Sequence, residues 1–175
     1  MSDKITVTKQ KGFSLIELLI VVTIIGIVAA IAIPNVIAAR RSANEGSAIA
    51  SIRTLHGAQI AYQTSSGAGS FAGTNSSTGD AAGLATLNSL GLVDDVLASG
   101  NKSGYKFVGA VSVSGSTTPA TFFFSANPLV PTGAIRTGTK RYCINQQGVI
   151  GADPNNLVTP FNAAGTITAP PFDVR

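Results

Sequence analysis

The sequence predicts an α+β fold in which one long N-terminal helix lies against a small antiparallel sheet, and three observations predict it. Residues 18–39 hold no charged side chain, a run of 22. Beyond Arg40, the residues Ile49, Ile52, Leu55, Ala58 and Tyr62 recur at spacings of three or four, which places them on one face of a helix. From Tyr105 onward, short stretches of aromatic and β-branched residues alternate with turn residues, the pattern of strands. An apolar helix stripe and an apolar sheet face bury each other, giving one helix packed on one sheet.

Composition narrows the function classes. The chain has 175 residues, 45% hydrophobic and only 11% charged, where a soluble domain carries about a quarter charged. With a positive mean hydropathy, this points to a membrane segment or to packing against neighbours, and away from a free cytosolic enzyme. A single Cys cannot close an intramolecular disulfide, and one Cys with one His cannot supply a structural zinc site. The net charge is +4, but Lys4, Lys9 and Lys11 against Asp3 place +2 of it before residue 12. Charge therefore does not mark a nucleic-acid surface, and nucleic acid is not expected as a partner. No paired carboxylates, no nucleophile beside a base and no cofactor loop can be read from the sequence, so no catalytic residue, no metal and no cofactor are expected.

The first element is the apolar run. As a helix, residues 18–39 cover roughly 33 Å at about 1.5 Å per residue, close to the roughly 30 Å of a hydrocarbon core. A secretory signal has a shorter apolar core, about 7 to 15 residues, so the run is expected to be a retained membrane helix. Gly26 and Pro34 lie inside it. Proline removes one backbone hydrogen bond, so a kink or local melting is expected, with the stretch 26–34 able to extend. Past Arg40 the helix continues as an amphipathic half, residues 40–63. Arg41, Asn44, Glu45, Ser47, Arg53 and His56 supply the polar side. One helix is predicted from Ser14 to Gln63, roughly 75 Å long. His56 has no carboxylate at helical spacing and is read as a surface or groove residue.

Residues 64–83 have the Ser, Thr, Gly, Asn and Ala composition of a loop. Gly67, Gly69 and Gly73 lack the spacing of a phosphate-binding loop. Leu84, Leu87, Leu90 and Leu92 with Val93 predict a short helix and turn, and residues 97–104 are rich in turn formers. Strands follow at 105–113, 121–126, 140–144 and 148–150, in a sheet of three or four strands. Phe122, Phe123 and Phe124 are read as core, and Cys143 as a small buried apolar residue. Pro128, Pro131, Pro154, Pro160, Pro170 and Pro171 mark irregular connections. Arg136, Lys140 and Arg141 form the best basic cluster of the head. Asn75-Ser76-Ser77 and Asn101-Lys102-Ser103 fit the short Asn-glycosylation pattern.

Glu17 is the residue that chemistry singles out. It sits in unbroken apolar sequence, where an ionised side chain costs a few kcal/mol unless partnered. A reach to the headgroups is one solution. Another is a cation: were the chain cut after Gly12, the new α-amino group of Phe13 would lie within one helical turn of Glu17, or beside the Glu17 of a neighbouring copy.

The segment from Lys11-Gly12-Phe13-Ser14-Leu15-Ile16-Glu17 through Gly26 to Ile33-Pro34-Asn35 closely resembles the N-terminus of type IV pilins and type II secretion pseudopilins. The resemblance covers residues 9 to 55 closely and the rest in general layout. It implies a basic leader, residues 1–12, cut between Gly12 and Phe13 by a prepilin peptidase, and N-methylation of Phe13. It also implies that Glu17 pairs with the Phe13 amine of an adjacent subunit during filament assembly. Residues 13–39 would then be the membrane and filament-core helix, 40–63 its amphipathic half and 64–175 the head. Many pilins close a C-terminal loop with a disulfide, and here Cys143 has no partner. Major pseudopilins hold calcium in a loop; Asp94-Asp95, or Asp153 with Asn155 and Asn156, are the only candidates here, and neither matches that loop.

Three functions are weighed. The first is a pilus subunit stored in the inner membrane with its head outside the cytoplasm, polymerised with copies of itself by an assembly platform into a surface filament. The second is a pseudopilin of a type II secretion system. The third is a minor pilin for adhesion or DNA capture through Arg136, Lys140 and Arg141.

Overall fold

The computed structural model describes residues 12–74, 81–112 and 119–153. The leader residues 1–11, the Asn75 glycosylation pattern, Asn155, Asn156, Pro154, Pro160, Pro170 and Pro171 lie outside them. The chain divides into two compact units, residues 1–38 and 39–175. Helix α1 runs Leu15–Ser65, within two residues of the predicted limits at each end. It is helical throughout, including Gly26 and Pro34, so of the two expected outcomes at the proline, a kink or local melting, the melting is not present in this state. Neighbouring turns keep their hydrogen bonds, and only the carbonyl four residues before Pro34 loses its donor.

The second unit is a five-stranded antiparallel meander in the order β1-β2-β3-β4-β5, with β1 Asn101–Lys102, β2 Tyr105–Ser112, β3 Thr121–Pro128, β4 Arg141–Asn145 and β5 Ile150–Asp153. Two short helices, α2 Ala82–Ser89 and α3 Asp95–Ala98, precede it. The sheet has one strand more than the three or four expected, because β1 is only two residues long and sits in the turn-rich stretch. It pairs with β2 through Ser103 and Gly104, both at positive φ (49° and 74°). That is the twist a two-residue hairpin needs.

Alternation along the strands sorts side chains to the two faces. Phe107, Val111, Phe122, Phe124, Ala126, Tyr142, Ile144 and Ala152 point to one face and form a single core with Ala48, Ile52, Leu55 and Ala58 of α1. Phe123 lies on the other face with Ala110 and Cys143, so the Phe122 to Phe124 run serves both sides of the sheet. Cys143 is fully buried and in no disulfide, and burial pushes its thiol up to about 12. Gly109 faces Phe124 across β2 and β3, and the Phe124 ring occupies the space a β-carbon would take.

Polar groups fix how α1 sits on the sheet. Glu45 Oε1 accepts from the Thr139 N–H (2.7 Å) and the Thr139 hydroxyl (2.6 Å). Its Oε2 accepts from the Tyr142 hydroxyl (3.4 Å). Asn44 Nδ2 donates to the Thr137 carbonyl (3.0 Å). About four turns further on, the fully buried Gln59 donates to the Ala72 carbonyl (2.6 Å) and accepts from its N–H (2.8 Å). A backbone that turns beneath a helix leaves such groups in need of partners, and Gln59 supplies both. Tyr105 donates to the Lys140 carbonyl (2.9 Å). Burial, and next the Glu45 charge, raise the pKa of both Tyr105 and Tyr142.

Two outcomes follow for the full chain in detergent. Gly109→Ala drives a methyl into the Phe124 ring and lowers stability by about 1–3 kcal/mol. Gly46→Ala, with open space at its Cβ on α1, raises it by about 0.5–1 kcal/mol. Urea midpoints of the two variants check both signs. The tyrosines set an alkaline limit: the folded chain retains phenolic protons that the unfolded chain releases from about pH 10. Stability is therefore level below that pH and falls as pH climbs through it. Urea midpoints from pH 8 to 11, read beside phenolate absorbance, should show Tyr105 and Tyr142 ionising only with unfolding. Glu45→Ala, which removes the acceptor shared by the Thr139 N–H and hydroxyl, should cost about 1–3 kcal/mol at pH 8.

Candidate functional site

The residues singled out by the sequence lie where the chain enters α1. Gly12, Phe13 and Ser14 precede the helix, and the Ser14 carbonyl accepts from the Glu17 N–H (3.1 Å) and the Leu18 N–H (3.2 Å). Glu17 falls in the first turn, three residues past Ser14, the spacing of a capping box. A carboxylate there is favoured by the unpaired N–H groups and the macrodipole. The Glu17 side chain is exposed, and among the described residues no cation lies within ion-pair distance of it. Phe13 is 77% exposed. The two stand four residues apart.

Beyond Glu17 the helix surface is apolar and bare. Leu15, Ile16 and every large hydrophobic side chain from Leu18 to Val36 are between 47% and 81% exposed, and the most apolar stretch of the helix buries nothing within the chain. The two polar side chains in this stretch satisfy themselves on their own backbone. Thr23 donates to the Leu19 carbonyl (2.8 Å) and Asn35 to that of Ile31 (3.1 Å), which removes their need for water. Gly26 has open space around it. Glu17 is thus the one polar side chain of this segment that nothing in the described chain neutralises, set beside a broad apolar face. Such a surface can enter lipid or pack against copies of itself.

The basic cluster is less of a comb than its sequence suggests. Lys140 and Arg141 are each engaged in an interaction, and Arg141 stands opposite Asp153 in the β4–β5 register. Arg136 is half-buried in the connection before β4. The Asp94-Asp95 pair does not converge. Asp94 caps α3 through the Leu97 N–H (3.3 Å) and pairs with Lys102 (3.0 Å). The Lys102 hydrogen bond above all holds its carboxyl below the usual range. Asp95 accepts from Asn88 (2.9 Å). His56 is half-buried, its Nε2 3.4 Å from the Gln146 carbonyl and its ring 5.7 Å from that of Phe122, a groove position as expected.

Sequence reasoning missed the Glu45 and Gln59 contacts. Gln59 carried a signal, since it continues the stripe of Ile52 and Leu55 at helical spacing and had to be satisfied there. Glu45 carried none, because its partner lies 94 residues away.

The family model described as the prokaryotic N-terminal methylation motif matches residues 7–33. The type IV wide pilus major component PilA4 of Thermus thermophilus is 66% identical over 35 residues, 20% of this chain and 27% of that protein. The type IV major pilin protein PilA of Myxococcus xanthus is 46% identical over 54 residues, 31% of this chain and 24% of that protein. The type II secretion system core protein G of Escherichia coli is 34% identical over 55 residues, 31% of this chain and 38% of that protein. The chain thus spans between about a quarter and two-fifths of the relatives it matches. No solved structure matches it. A methylation motif opens a bare apolar helix, an amphipathic half laid on an antiparallel meander follows it, and over part of its length the chain is similar to type IV pilins and to a type II secretion core protein.

Proposed function

We propose that the chain is the structural subunit of a type IV pilus. In this reading residues 1–12 are a leader removed between Gly12 and Phe13, and Phe13 becomes the N-methylated first residue. Residues 13–39 anchor the precursor in the inner membrane and later line the filament core. Residues 40–63 carry the head, 64–175, outside the cytoplasm. Glu17 pairs with the Phe13 amine of the adjoining subunit, and an inner-membrane platform drives assembly. The observation that carries the reading is the exposed Glu17 at the head of an apolar helix surface that the chain does not cover. A heterologous contact that does not close generates an open filament, and dense packing at Gly26, Ala29, Ala30 and Ala32 suits helices that meet closely. Two relatives named as major pilins favour a pilus. The relative named as a secretion core protein supports a second reading, a pseudopilin with the same helix chemistry. No step of either reading calls for catalysis by this chain.

Changing Gly12→Glu puts a charged side chain at the scissile bond. The expected result is a longer, membrane-bound product, seen by intact-mass measurement, and no sheared fibres. Glu17→Ala should instead be cut and methylated normally, with fibre number falling at least about tenfold, in line with the few kcal/mol assigned to an unpartnered charge. Fibres of normal number and length from Glu17→Ala would contradict the pairing.

A further inference from the structure

We infer that Arg41 and the loop 129–136 form a docking surface for the anionic headgroup layer of the bilayer, used while the subunit is stored in the membrane. The inference rests on the reading above that residues 18–39 span the bilayer with the head outside the cytoplasm.

The loop is held in place by α1. Arg41, Asn44 and Glu45 share one helix face, at spacings of three and four. Asn44 holds the Thr137 carbonyl and Glu45 holds Thr139, so the base of the loop is fixed about one turn beyond Arg41. Gly104, at positive φ, fits against Asn44 and Thr137. The loop closes on itself: Thr137 N–H donates to the Val130 carbonyl (2.9 Å), Val130 N–H to the Thr137 hydroxyl (3.1 Å), and Leu129 N–H to the Gly104 carbonyl (2.9 Å). Between these bonds it presents Leu129, Val130 and Ile135 to solvent, and Ile135, 76% exposed, is the most exposed large apolar residue described in the head. The other exposed apolar residues of the head are spread singly along the sequence.

Two arginines, Arg136 within the loop and Arg41 one turn before Asn44 and Glu45 on α1, carry no counter-charge among the described residues. The Nε atoms of Arg41 and Arg136 are buried and have no hydrogen-bond partner. Among the described residues neither side chain forms an ion pair. Glu45, one turn from Arg41 and able to neutralise it, is turned instead to Thr139 and Tyr142. Distance then selects the occupant. The uncharged run ends at Ala39, so Arg41 lies about 3 Å and Asn44 about 7.5 Å past it along the helix. A headgroup layer is roughly 5–7 Å deep on each side of the hydrocarbon core. Arginine forks match phosphodiester oxygens in pairs, and apolar side chains beside basic ones favour an interfacial position. Anionic headgroups also offset the bias against basic residues on the translocated side of a span.

The test uses the full chain, one copy per nanodisc, in phosphatidylcholine alone or mixed with phosphatidylglycerol. A polarity-sensitive fluorophore is attached at Thr132→Cys, the buried Cys143 remaining unlabelled, and headgroup spin-labelled lipid serves as quencher. Docking gives quenched, blue-shifted emission with phosphatidylglycerol. R41Q/R136Q lowers the docked-to-free ratio more than about tenfold, at about 1 kcal/mol per basic residue near an anionic surface. R41K/R136K keeps most of it, and Ile135→Ser weakens it in both lipids. Protection of Cys143 from thiol reagents shows that each variant is folded. Emission that stays solvent-like in both lipids overturns the inference, as does quenching indifferent to the arginines. Quenching that appears only with several copies per disc also overturns it, since the partner is then a second copy. A second label at Ile25→Cys separates the two readings. Lipid contact at 25 without contact at 132 defeats the docking alone, and no lipid contact at 25 defeats the membrane-spanning reading beneath it.

Discussion

The first half of α1 presents an apolar surface that no other part of the described chain covers, and the rest of the molecule is arranged around that constraint. More than twenty residues of branched aliphatic and small side chains cannot remain in water without association. The polar groups within the stretch are either bonded to their own helix, as with Thr23 and Asn35, or placed at its mouth, as with Glu17. The segment is therefore compatible with two environments of similar polarity, hydrocarbon and a bundle of like helices. Transfer between them involves little hydrophobic gain, so close packing and the fate of a single carboxylate decide which is preferred.

The head solves a different problem with the same helix. From Ala48 to Ala58 one stripe of α1 is buried on the sheet, and polar contacts at either end of the stripe, Asn44 with Glu45 and then Gln59, set the register of helix on sheet. Hydrophobic burial alone would tolerate a slide along the stripe. A carboxylate committed to the Thr139 N–H and hydroxyl and an amide committed to both backbone groups of Ala72 do not. The same commitment leaves Arg41 without its nearest carboxylate.

The helix and the strand centres were legible because their signals are local. Charge-free length, three-and-four spacing and aromatic alternation each act within about ten residues. The two-residue β1 was missed because it exists only as the partner of β2, through a turn at Ser103 and Gly104 that sequence marks as loop. Phe123 was read as core without its face, since a run of three phenylalanines hides the alternation that sorts them. At Pro34 a kink or local melting was expected; melting is absent because one missing hydrogen bond is readily absorbed by a long helix whose other turns remain intact. Gly12, Phe13 and Glu17 were singled out through the motif that residues 7–33 match. The Glu45 contacts, joining residues 94 apart, could be seen only in the fold.

The central claim is that lipid and like helices alternate as the cover of residues 18–39. A photoreactive amino acid at Val28, exposed on this surface, tests it directly when activated in isolated membranes and again in sheared fibres. The account requires lipid adducts from the membrane pool and subunit-to-subunit adducts from the fibres. Water adducts in the membrane pool, or adducts to the chain's own head in both, would contradict it.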